Sequence, residues 1–151
     1  METEQFERIL VAVDGSENAS RAARVAIALA KKFGAELIIC HVIPTPAFSP
    51  QVTFTVPGDT MRGYYDAART EGKRIVGEVV KLAETNGVKA SVTIRENVFS
   101  VVECIVKLAE DMDIDLIVTG TRGLSGFKKL LVGSVSSGVV NRSKSSVLLV
   151  K

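Results

Sequence analysis

The sequence ILVAVDGS at residues 9–16 decides the architecture of this chain. Its first five residues are apolar and form a continuous run of the length expected for a buried strand. The polar end of the stretch predicts a tight turn, with Ser16 as the N-cap of a helix. Beyond the turn, apolar side chains recur on one helical face from Ala22 to Phe33, and Gly34 is suited to end that helix.

The same alternation of strand and helix patterns continues along the chain. Short continuous apolar runs predict strands, whereas apolar residues spaced by three and four predict helices. The elements expected after the first helix are a strand at 37–43, a helix from about 61 to 84, a strand at 88–94, a helix around 101–112, a strand at 114–119, a helix from about 134 to 142 and a strand at 146–150.

Strands separated by helices predict parallel β-α-β units. Strands that are apolar along their whole length are typical of burial on both faces. We therefore predict the α/β class, with a five-stranded, doubly wound, Rossmann-like parallel sheet and helices on both of its faces. No break in the pattern suggests a boundary, so residues 1–151 are expected to form a single domain.

The composition favours a folded protein of the cytoplasm. Hydrophobic residues make up 46% of the chain and charged residues 24%, and the net charge of +2 gives little support to nucleic-acid binding. No signal peptide or membrane helix is recognisable. Cys40 and Cys104 are isolated within apolar runs, which indicates buried thiols in a reducing compartment. With His41 as the sole histidine, the sequence offers no zinc site of the usual spacing.

The segment 44–60 interrupts the regular pattern because it contains four prolines. A connection of this length is uncommon in a compact domain and is often functional or mobile. It can cover a ligand or contact a partner, or it can be an insertion without a role. The alternation around Val52, Phe54 and Val56 leaves open a further extended piece.

The most informative residues follow the fourth predicted strand. They read Gly120-Thr121-Arg122-Gly123 and, nine residues later, Gly133-Ser134-Val135-Ser136. Glycine leaves no side chain between the backbone and a ligand. The second group opens a helix, whose free amides and partial positive charge suit a phosphate, and the hydroxyls of Ser134 and Ser136 can add donors. The alternative is that these glycines serve only a tight turn and close helix packing.

Asp14 lies at the end of the first predicted strand, where it can take part in the same site. In doubly wound sheets, ligands bind beyond the carboxyl ends of the strands. If the first and fourth strands are neighbours, Asp14 and Gly120 lie side by side at that edge. The Asp14 carboxylate can then accept hydrogen bonds from an adenine amino group or a ribose hydroxyl, opposite the helix amides.

Both motifs resemble those of the universal stress proteins. Residues 11–16, VAVDGS, look like the opening of that family, and residues 120–136 are similar to the motif of its ATP-binding branch. The resemblance covers nearly the whole chain. It implies a strand order of 3-2-1-4-5, a homodimer and a role in the stress response. The site residues implied are Asp14 and the backbone of Val42 near adenine and ribose, with Ala12 and Val13 also at the site, and Gly120, Gly123, Gly133, Ser134, Val135 and Ser136 around ribose and phosphates.

Other site types have less support in the sequence. A P-loop would require a lysine directly after Gly126 or Gly133, and neither glycine is followed by one. The Rossmann dinucleotide fingerprint is absent as well. Arg122, Lys128 and Lys129 can reach the terminal phosphates of a bound nucleotide, and Arg122 is the best placed because it lies between two motif glycines. His41 is expected to be a strand histidine satisfied by its neighbours, and no catalytic residue is predicted.

Residues 146–150 form an apolar final strand without internal charge or proline, which we expect at an edge of the sheet. Such edges are normally protected. Pairing with the same strand of a second copy would protect it under two-fold symmetry, which predicts a homodimer.

The sequence therefore predicts an ATP-binding stress or signalling module, with Mg²⁺ accompanying the phosphates. Another adenine nucleotide is possible, and so is an unknown downstream protein partner. Two alternatives stay open: a slow nucleotide hydrolase or adenylyl-transferring enzyme, in which Asp14 would position a metal or a water, and a dimeric interaction protein that binds no nucleotide.

Overall fold

A computed structural model describes residue 3 and residues 5–46, 56–122 and 132–151. Within these ranges, strands and helices alternate as the sequence predicts. They are β1 (Arg8–Ala12), α1 (Glu17–Phe33), β2 (Glu36–Pro44), α2 (Gly58–Thr85), β3 (Ala90–Val98), α3 (Val101–Asp111), β4 (Leu116–Gly120), α4 (Ser134–Arg142) and β5 (Ser146–Val150).

The strands form one five-stranded sheet in the order β3-β2-β1-β4-β5, and every neighbouring pair is parallel. The central strand β1 lies between β2 and β4, so that Val11 is paired with Ile39 on one side and Val118 on the other. The predicted α/β class and the strand order 3-2-1-4-5 are confirmed. The neighbouring positions of β1 and β4 bring their carboxyl ends together.

The hydrophobic core has two parts, one on each face of the sheet. Ile9 and Val11 of β1 pack with α1 and α2 on one face. Leu10 lies between them in the chain and packs with α3 and α4 on the other face. Because side chains alternate across a strand, only a strand that is apolar at every position can fill both layers. This requirement explains the uninterrupted apolar runs.

The two ends of α1 form as the local sequence predicts. The Ser16 side chain accepts a hydrogen bond from the amide of Ala19 at 3.2 Å, which is the geometry of an N-cap. Gly34 adopts the left-handed conformation with φ of 67°, and its amide bonds the carbonyl of Ala30. A residue with a Cβ would be strained there, so the glycine ends the helix and turns the chain towards β2.

Strand β3 is longer than the sequence predicts. The apolar run ends at Ile94, whereas the strand continues to Val98 through three exposed polar residues. The extension follows β2, with which β3 pairs as far as Pro44, and the Thr45 amide bonds the carbonyl of Val98 at 2.8 Å. Because β3 is an edge strand, its last residues can stay in the sheet through backbone pairing with β2 while their side chains remain exposed.

Helix α2 is the longest of the described helices, with 28 residues, and it begins directly after Pro57. Its outer face is charged: Arg74, for example, forms ion pairs with Glu71 and Glu78. No helix in the described ranges combines the length and the apolar character needed to cross a membrane. Of the proline-containing segment, residues 47–55 lie outside the described part of the chain, and with them the alternation at Val52 and Phe54.

Candidate functional site

A cleft of about 470 Å³ opens at the carboxyl edge of the sheet, where β1 and β4 end side by side. Two chain segments frame it. One is the β1–α1 turn, residues 13–16. The other is the β4–α4 connection, residues 121–133, of which 121, 122, 132 and 133 are described. The first turn of α1, which follows the first segment, contacts the second one, because the Asn18 side-chain amide donates a hydrogen bond to the Thr121 hydroxyl at 3.3 Å.

Side chains of the β1–α1 turn hydrogen-bond to nearby backbone amides. Asp14 Oδ1 accepts a hydrogen bond from the amide of Ser16 at 2.9 Å, and the Ser16 hydroxyl in turn caps α1. In the described part of the chain, these bonds use only one of the two Asp14 carboxylate oxygens. Asp14 lines the cleft and is half-buried. Its second oxygen therefore provides a negatively charged acceptor for a ligand.

The β4–α4 connection leaves backbone donors at the start of α4. Its N-cap, Gly133, has no side chain with which to cap the helix, and its own amide donates to the carbonyl of Thr121 at 2.5 Å. The first intrahelical bond joins the amide of Ser137 to the carbonyl of Gly133. Within the described residues, the amides of Ser134, Val135 and Ser136 thus have no bonded partner and form an open first turn, where the helix dipole adds a partial positive charge.

The hydroxyl of Ser136 already has a partner. It is buried and donates to the carbonyl of Gly120 at 2.5 Å. The bond ties the first turn of α4 to the end of β4 and so fixes the direction of the helix amides. The Ser136 hydroxyl proton is therefore used within the protein, whereas Ser134 is exposed at the cleft.

The two described motif glycines, Gly120 and Gly133, differ in how closely their surroundings approach them. A Cβ built on Gly120 would lie 2.9 Å from the backbone carbonyl carbon of Asn18, so β4 can pack against α1 only with a glycine there. A Cβ on Gly133 would lie 3.3 Å from the Thr121 carbonyl oxygen, which is tight but much less severe. Gly133 also has φ of −69°, which any residue adopts. Substitution of Gly133 thus tests the cleft more cleanly than substitution of Gly120.

His41 of β2 also lines the cleft and is buried. Its Nδ1 is 2.8 Å from the carbonyl oxygen of Val13, which assigns the proton to Nδ1 because a carbonyl can only accept. The ring packs against Gly72 of α2, where a Cβ would come within 2.7 Å of its Cδ2 atom. The prediction of a histidine satisfied by its neighbours is confirmed, and its bond helps to hold the β1–α1 turn.

Helix α2 contributes a wall of the cleft that the sequence did not reveal. Tyr64, Ala68, Glu71 and Ile75 line this wall. An exposed ion pair holds Glu71, because Arg74 bonds both of its carboxylate oxygens and lowers its pKa. The spacing of three and four residues marks these positions as one helical face, but only the packing of α2 shows that the face overhangs the carboxyl edge of the sheet.

The structure brings the predicted site residues together as far as it describes them. Gly123 lies outside the described residues, as do Lys128 and Lys129. The described part of the chain contains no group of three His, Cys, Asp or Glu side chains that could hold a metal ion. The predicted residues that line the cleft are Ala12, Val13, Asp14, Val42, Gly120, Arg122, Gly133, Ser134, Val135 and Ser136.

Comparisons with known proteins point to one family. The model of the universal stress protein family matches residues 5–151. Universal stress protein MJ0531 of Methanocaldococcus jannaschii is 34% identical over 146 residues, which cover 97% of this chain and 82% of that protein. Universal stress protein YxiE of Bacillus subtilis is 35% identical over 150 residues, which cover 97% of this chain and 99% of that protein.

Solved structures of the same family share the fold. Universal stress protein UspA from Lactobacillus plantarum superposes with a TM-score of 0.85 at 23% identity, over 99% of this chain and 100% of that one. A universal stress protein in complex with cAMP gives 0.65 at 28% identity, over 98% of each chain. One from Archaeoglobus fulgidus in complex with dAMP gives 0.69 at 21% identity, over 98% of this chain and 100% of that one.

Proposed function

This chain belongs to the universal stress protein family, and we propose that it binds an adenine nucleotide, ATP by preference, as a nucleotide-dependent stress or signalling module. One observation carries the proposal: the uncapped first turn of α4 and the Asp14 carboxylate line a single cleft. Helix amides suit an anion, whereas a carboxylate suits a hydrogen-bond donor. A nucleotide has both chemistries at its two ends.

The phosphate end would be the first turn of α4. The amides of Ser134, Val135 and Ser136 would donate to phosphate oxygens, with the helix dipole favouring the negative charge. Arg122 lines the same cleft and is exposed, so its guanidinium can reach a terminal phosphate. Gly120, Gly123 and Gly133 would allow the phosphates and the ribose to approach the backbone.

The base end would be the β1–α1 turn together with the end of β2. Asp14 would accept from the adenine amino group or a ribose hydroxyl, beside Ala12, Val13 and the backbone of Val42. The cleft volume of about 470 Å³ is within the range of roughly 300–1,000 Å³ that is common for small-molecule sites. Complexes of similar proteins with cAMP and dAMP support an adenine nucleotide as the ligand.

Magnesium would enter this site with the phosphates. Since the described residues contain no cluster of metal ligands, its ligands would be mainly phosphate oxygens and waters. ATP affinity is therefore expected to fall when Mg²⁺ is chelated, whereas adenosine affinity stays the same. Isothermal titration calorimetry with and without a chelator measures both, and equal ATP affinity in the two conditions would argue against Mg²⁺.

Replacing Gly133 by valine tests the site directly. The branched side chain would fill the space before the α4 amides, so ATP binding is expected to be lost while the fold is retained. Gly77→Val is the matched control, because Gly77 is an exposed residue of α2 with no neighbouring atom within 4 Å of a built Cβ. Unchanged ATP affinity of Gly133→Val in calorimetry would remove the site assignment.

We expect any turnover of ATP to be slow, because two side chains of the cleft that could act as nucleophile or base already hydrogen-bond within the protein. The Ser136 hydroxyl donates to Gly120, and His41 donates to Val13. A nucleophile would need an adjacent oriented base. In a single-turnover incubation, stoichiometric ATP is expected to stay intact for hours. Conversion within seconds would favour the enzyme alternative, and a protein that binds no nucleotide at all would favour a pure interaction module.

We further propose a homodimer formed through β5, which pairs only with β4 among the described strands. The Ser146 amide and the Val150 carbonyl face β4. By the alternation of a strand, Val147 and Leu149 present their backbone groups to the open edge. Leu149→Pro would remove one of these outward donors and is expected to give a monomer in light scattering, whereas Leu149→Ala stays dimeric. A monomeric wild-type protein would overturn the proposal.

We propose a cytoplasmic location because both cysteine thiols are free. Cys40 and Cys104 are both free, and burial is the main cause that raises the pKa of Cys40 to about 12. Such a thiol is unreactive and needs no oxidising compartment. Cell fractionation with an antibody to the native protein tests this location, and recovery from an extracytoplasmic fraction would contradict it.

A further inference from the structure

The first turns of α2 lie over one end of the cleft and carry both tyrosines of the chain, Tyr64 and Tyr65. Tyr64 lines the cleft, whereas Tyr65 does not. We propose that Tyr64 is the aromatic wall against which the base of the ligand packs, and that it makes the site selective for ligands that carry a base. This inference rests on the proposed nucleotide site and adds to it a residue outside the family motif.

A set of polar contacts fixes this part of α2 to the ends of β2 and β3. Arg69 forms two hydrogen bonds with the Glu96 carboxylate, at 2.6 and 2.8 Å. The Tyr65 hydroxyl donates to the side-chain oxygen of Asn97 at 3.1 Å. The Thr45 hydroxyl donates to the same oxygen at 3.3 Å. Single exposed contacts of this kind contribute little, but together they set the position of the helix above the sheet edge.

Contacts of both the hydroxyl and the ring hold the Tyr64 side chain in place. Its hydroxyl donates to the carbonyl of Pro44, the last residue of β2, at 2.9 Å. Its ring meets the ring of Tyr65 edge to face, with centroids 5.1 Å apart and planes at 77°. The half-buried ring is therefore oriented before a ligand arrives, which lowers the entropy lost on binding.

The surroundings of Tyr64 suit a flat, apolar ring with a polar edge. Ala68 and Ile75 continue the wall along α2, and Val42 lines the cleft from β2. Asp14 provides the carboxylate acceptor in the same cleft. An aromatic face stacks on any base, whereas the carboxylate favours a base edge that donates, such as the amino group of adenine. Tyr64 would then supply affinity for the base, and Asp14 its orientation.

Calorimetry with two ligands separates this role from a general effect on the fold. ATP carries a base, whereas tripolyphosphate carries only the anionic part. Tyr64→Ala is expected to weaken ATP binding about tenfold, the size of one base–aromatic contact, and to leave tripolyphosphate binding unchanged. Tyr64→Phe keeps the ring and loses only its bond to Pro44, so a loss of about two- to threefold for ATP is expected.

Tyr65→Ala is the matched control, because it removes a ring of the same size and a contact to Asn97 without changing the cleft lining. Because Tyr65 only orients the Tyr64 ring, its loss is expected to weaken ATP binding much less than Tyr64→Ala does and to leave tripolyphosphate binding unchanged. Equal losses for both ligands in Tyr64→Ala, or equal ATP losses in Tyr64→Ala and Tyr65→Ala, would show that α2 acts only through the fold and would overturn the inference.

Tyrosine emission gives an independent readout, since the chain has two tyrosines and no tryptophan. Tyr65→Phe leaves Tyr64 as the only fluorescent tyrosine, and ATP is expected to quench its emission after correction for absorption by the nucleotide. Tripolyphosphate is expected to leave it unchanged. In Tyr64→Phe, the remaining Tyr65 should respond little to ATP. Equal quenching in the two variants would contradict a contact between Tyr64 and the base.

The outcomes also distinguish this inference from the proposed function. If the wild type binds ATP, and Gly133→Val does not, while Tyr64→Ala binds ATP as the wild type does, only the role of Tyr64 is lost. If the wild type binds neither ATP nor tripolyphosphate, the nucleotide site itself is overturned, and the role of Tyr64 with it.

Discussion

Two helices begin at the same edge of the sheet, and their first turns differ in one respect. Helix α1 is capped by the Ser16 hydroxyl, and the Ser16 amide is bonded by Asp14. Helix α4 begins at Gly133, which offers no side-chain cap. The strands that precede them, β1 and β4, are neighbours and end together. The same local architecture thus gives one helix start with a side-chain cap and, among the described residues, one without a cap.

The difference teaches how a repeated β-α unit acquires a binding site. A capped helix start has used one of its free donors within the protein, which adds stability. An uncapped start keeps them for an anion at a small cost in stability. In this chain the capped unit also contributes the Asp14 carboxylate, so the two units together present opposite charges to one cleft.

Giving α4 a side-chain cap would remove this difference between the two helices, and we expect it to have the largest effect, on ATP affinity. In Gly133→Asp, the new carboxylate can accept from the first-turn amides and places a negative charge where a phosphate would bind. ATP affinity is expected to fall about 100-fold or more through like-charge repulsion. The free energy of unfolding is expected to change by only a few tenths of a kcal/mol, because aspartate is a better N-cap than glycine by about that amount.

Calorimetry and urea unfolding measure the two effects in Gly133→Asp. Gly133→Ser is the neutral control, since serine is also a good N-cap but carries no charge, and its loss of ATP affinity should be smaller. ATP affinity in Gly133→Asp equal to that of the wild type would show that the open amides of α4 are not the anion site.

Adding a methyl group at Gly120 should have the next largest effect, which is a loss of stability. The end of β4 packs against the first turn of α1 so closely that a Cβ would contact the backbone of Asn18 at 2.9 Å. Gly120→Ala is therefore expected to lower the free energy of unfolding by about 1–3 kcal/mol, the usual cost of overpacking. Gly77→Ala on α2 should instead raise it by up to about 1 kcal/mol, because alanine favours an open helical position. Urea unfolding of both variants tests the contact, and a stable Gly120→Ala would refute it.

Removing the cap of α1 should have the smallest effect, a loss of stability without a loss of anion binding, and so tests the other helix of the pair. Ser16→Ala deletes the bond to the Ala19 amide and is expected to cost about 1 kcal/mol of stability. Tripolyphosphate affinity should stay the same, because the anion would bind at α4. Thermal unfolding and calorimetry follow the two quantities. A changed tripolyphosphate affinity would mean that the start of α1 also takes part in anion binding.

Much of the fold could be predicted because its signals are local. Helix α4 and strand β5 have the bounds predicted from the sequence, and Ser16 and Gly34 delimit α1 as expected. Strand β3 departs most from the prediction, because its last residues are polar and pairing with β2 extends it. Apolar periodicity detects burial, so it is blind to an edge strand that is held mainly by its backbone.

The candidate site was predictable only in part. The residues on the two connections follow strand ends or open a helix, and such positions can be read from the sequence. Tyr64 and Glu71 lie within a helical pattern, where nothing distinguishes a residue above a cleft from one in solvent. Gly72 is similar, because its need for a small side chain comes from the His41 ring on another element.

By itself, the sequence determined the alternation of strands and helices, the ends of α1, and the presence of glycines and an aspartate at two strand ends. These depend on neighbours along the chain, through periodicity and capping. Only the tertiary structure decided that Gly120 must admit the first turn of α1, that the Ser136 hydroxyl is used by Gly120, and that Tyr64 overhangs the cleft. Those facts depend on contacts between residues distant in sequence, and such contacts exist only once the sheet has placed its helices.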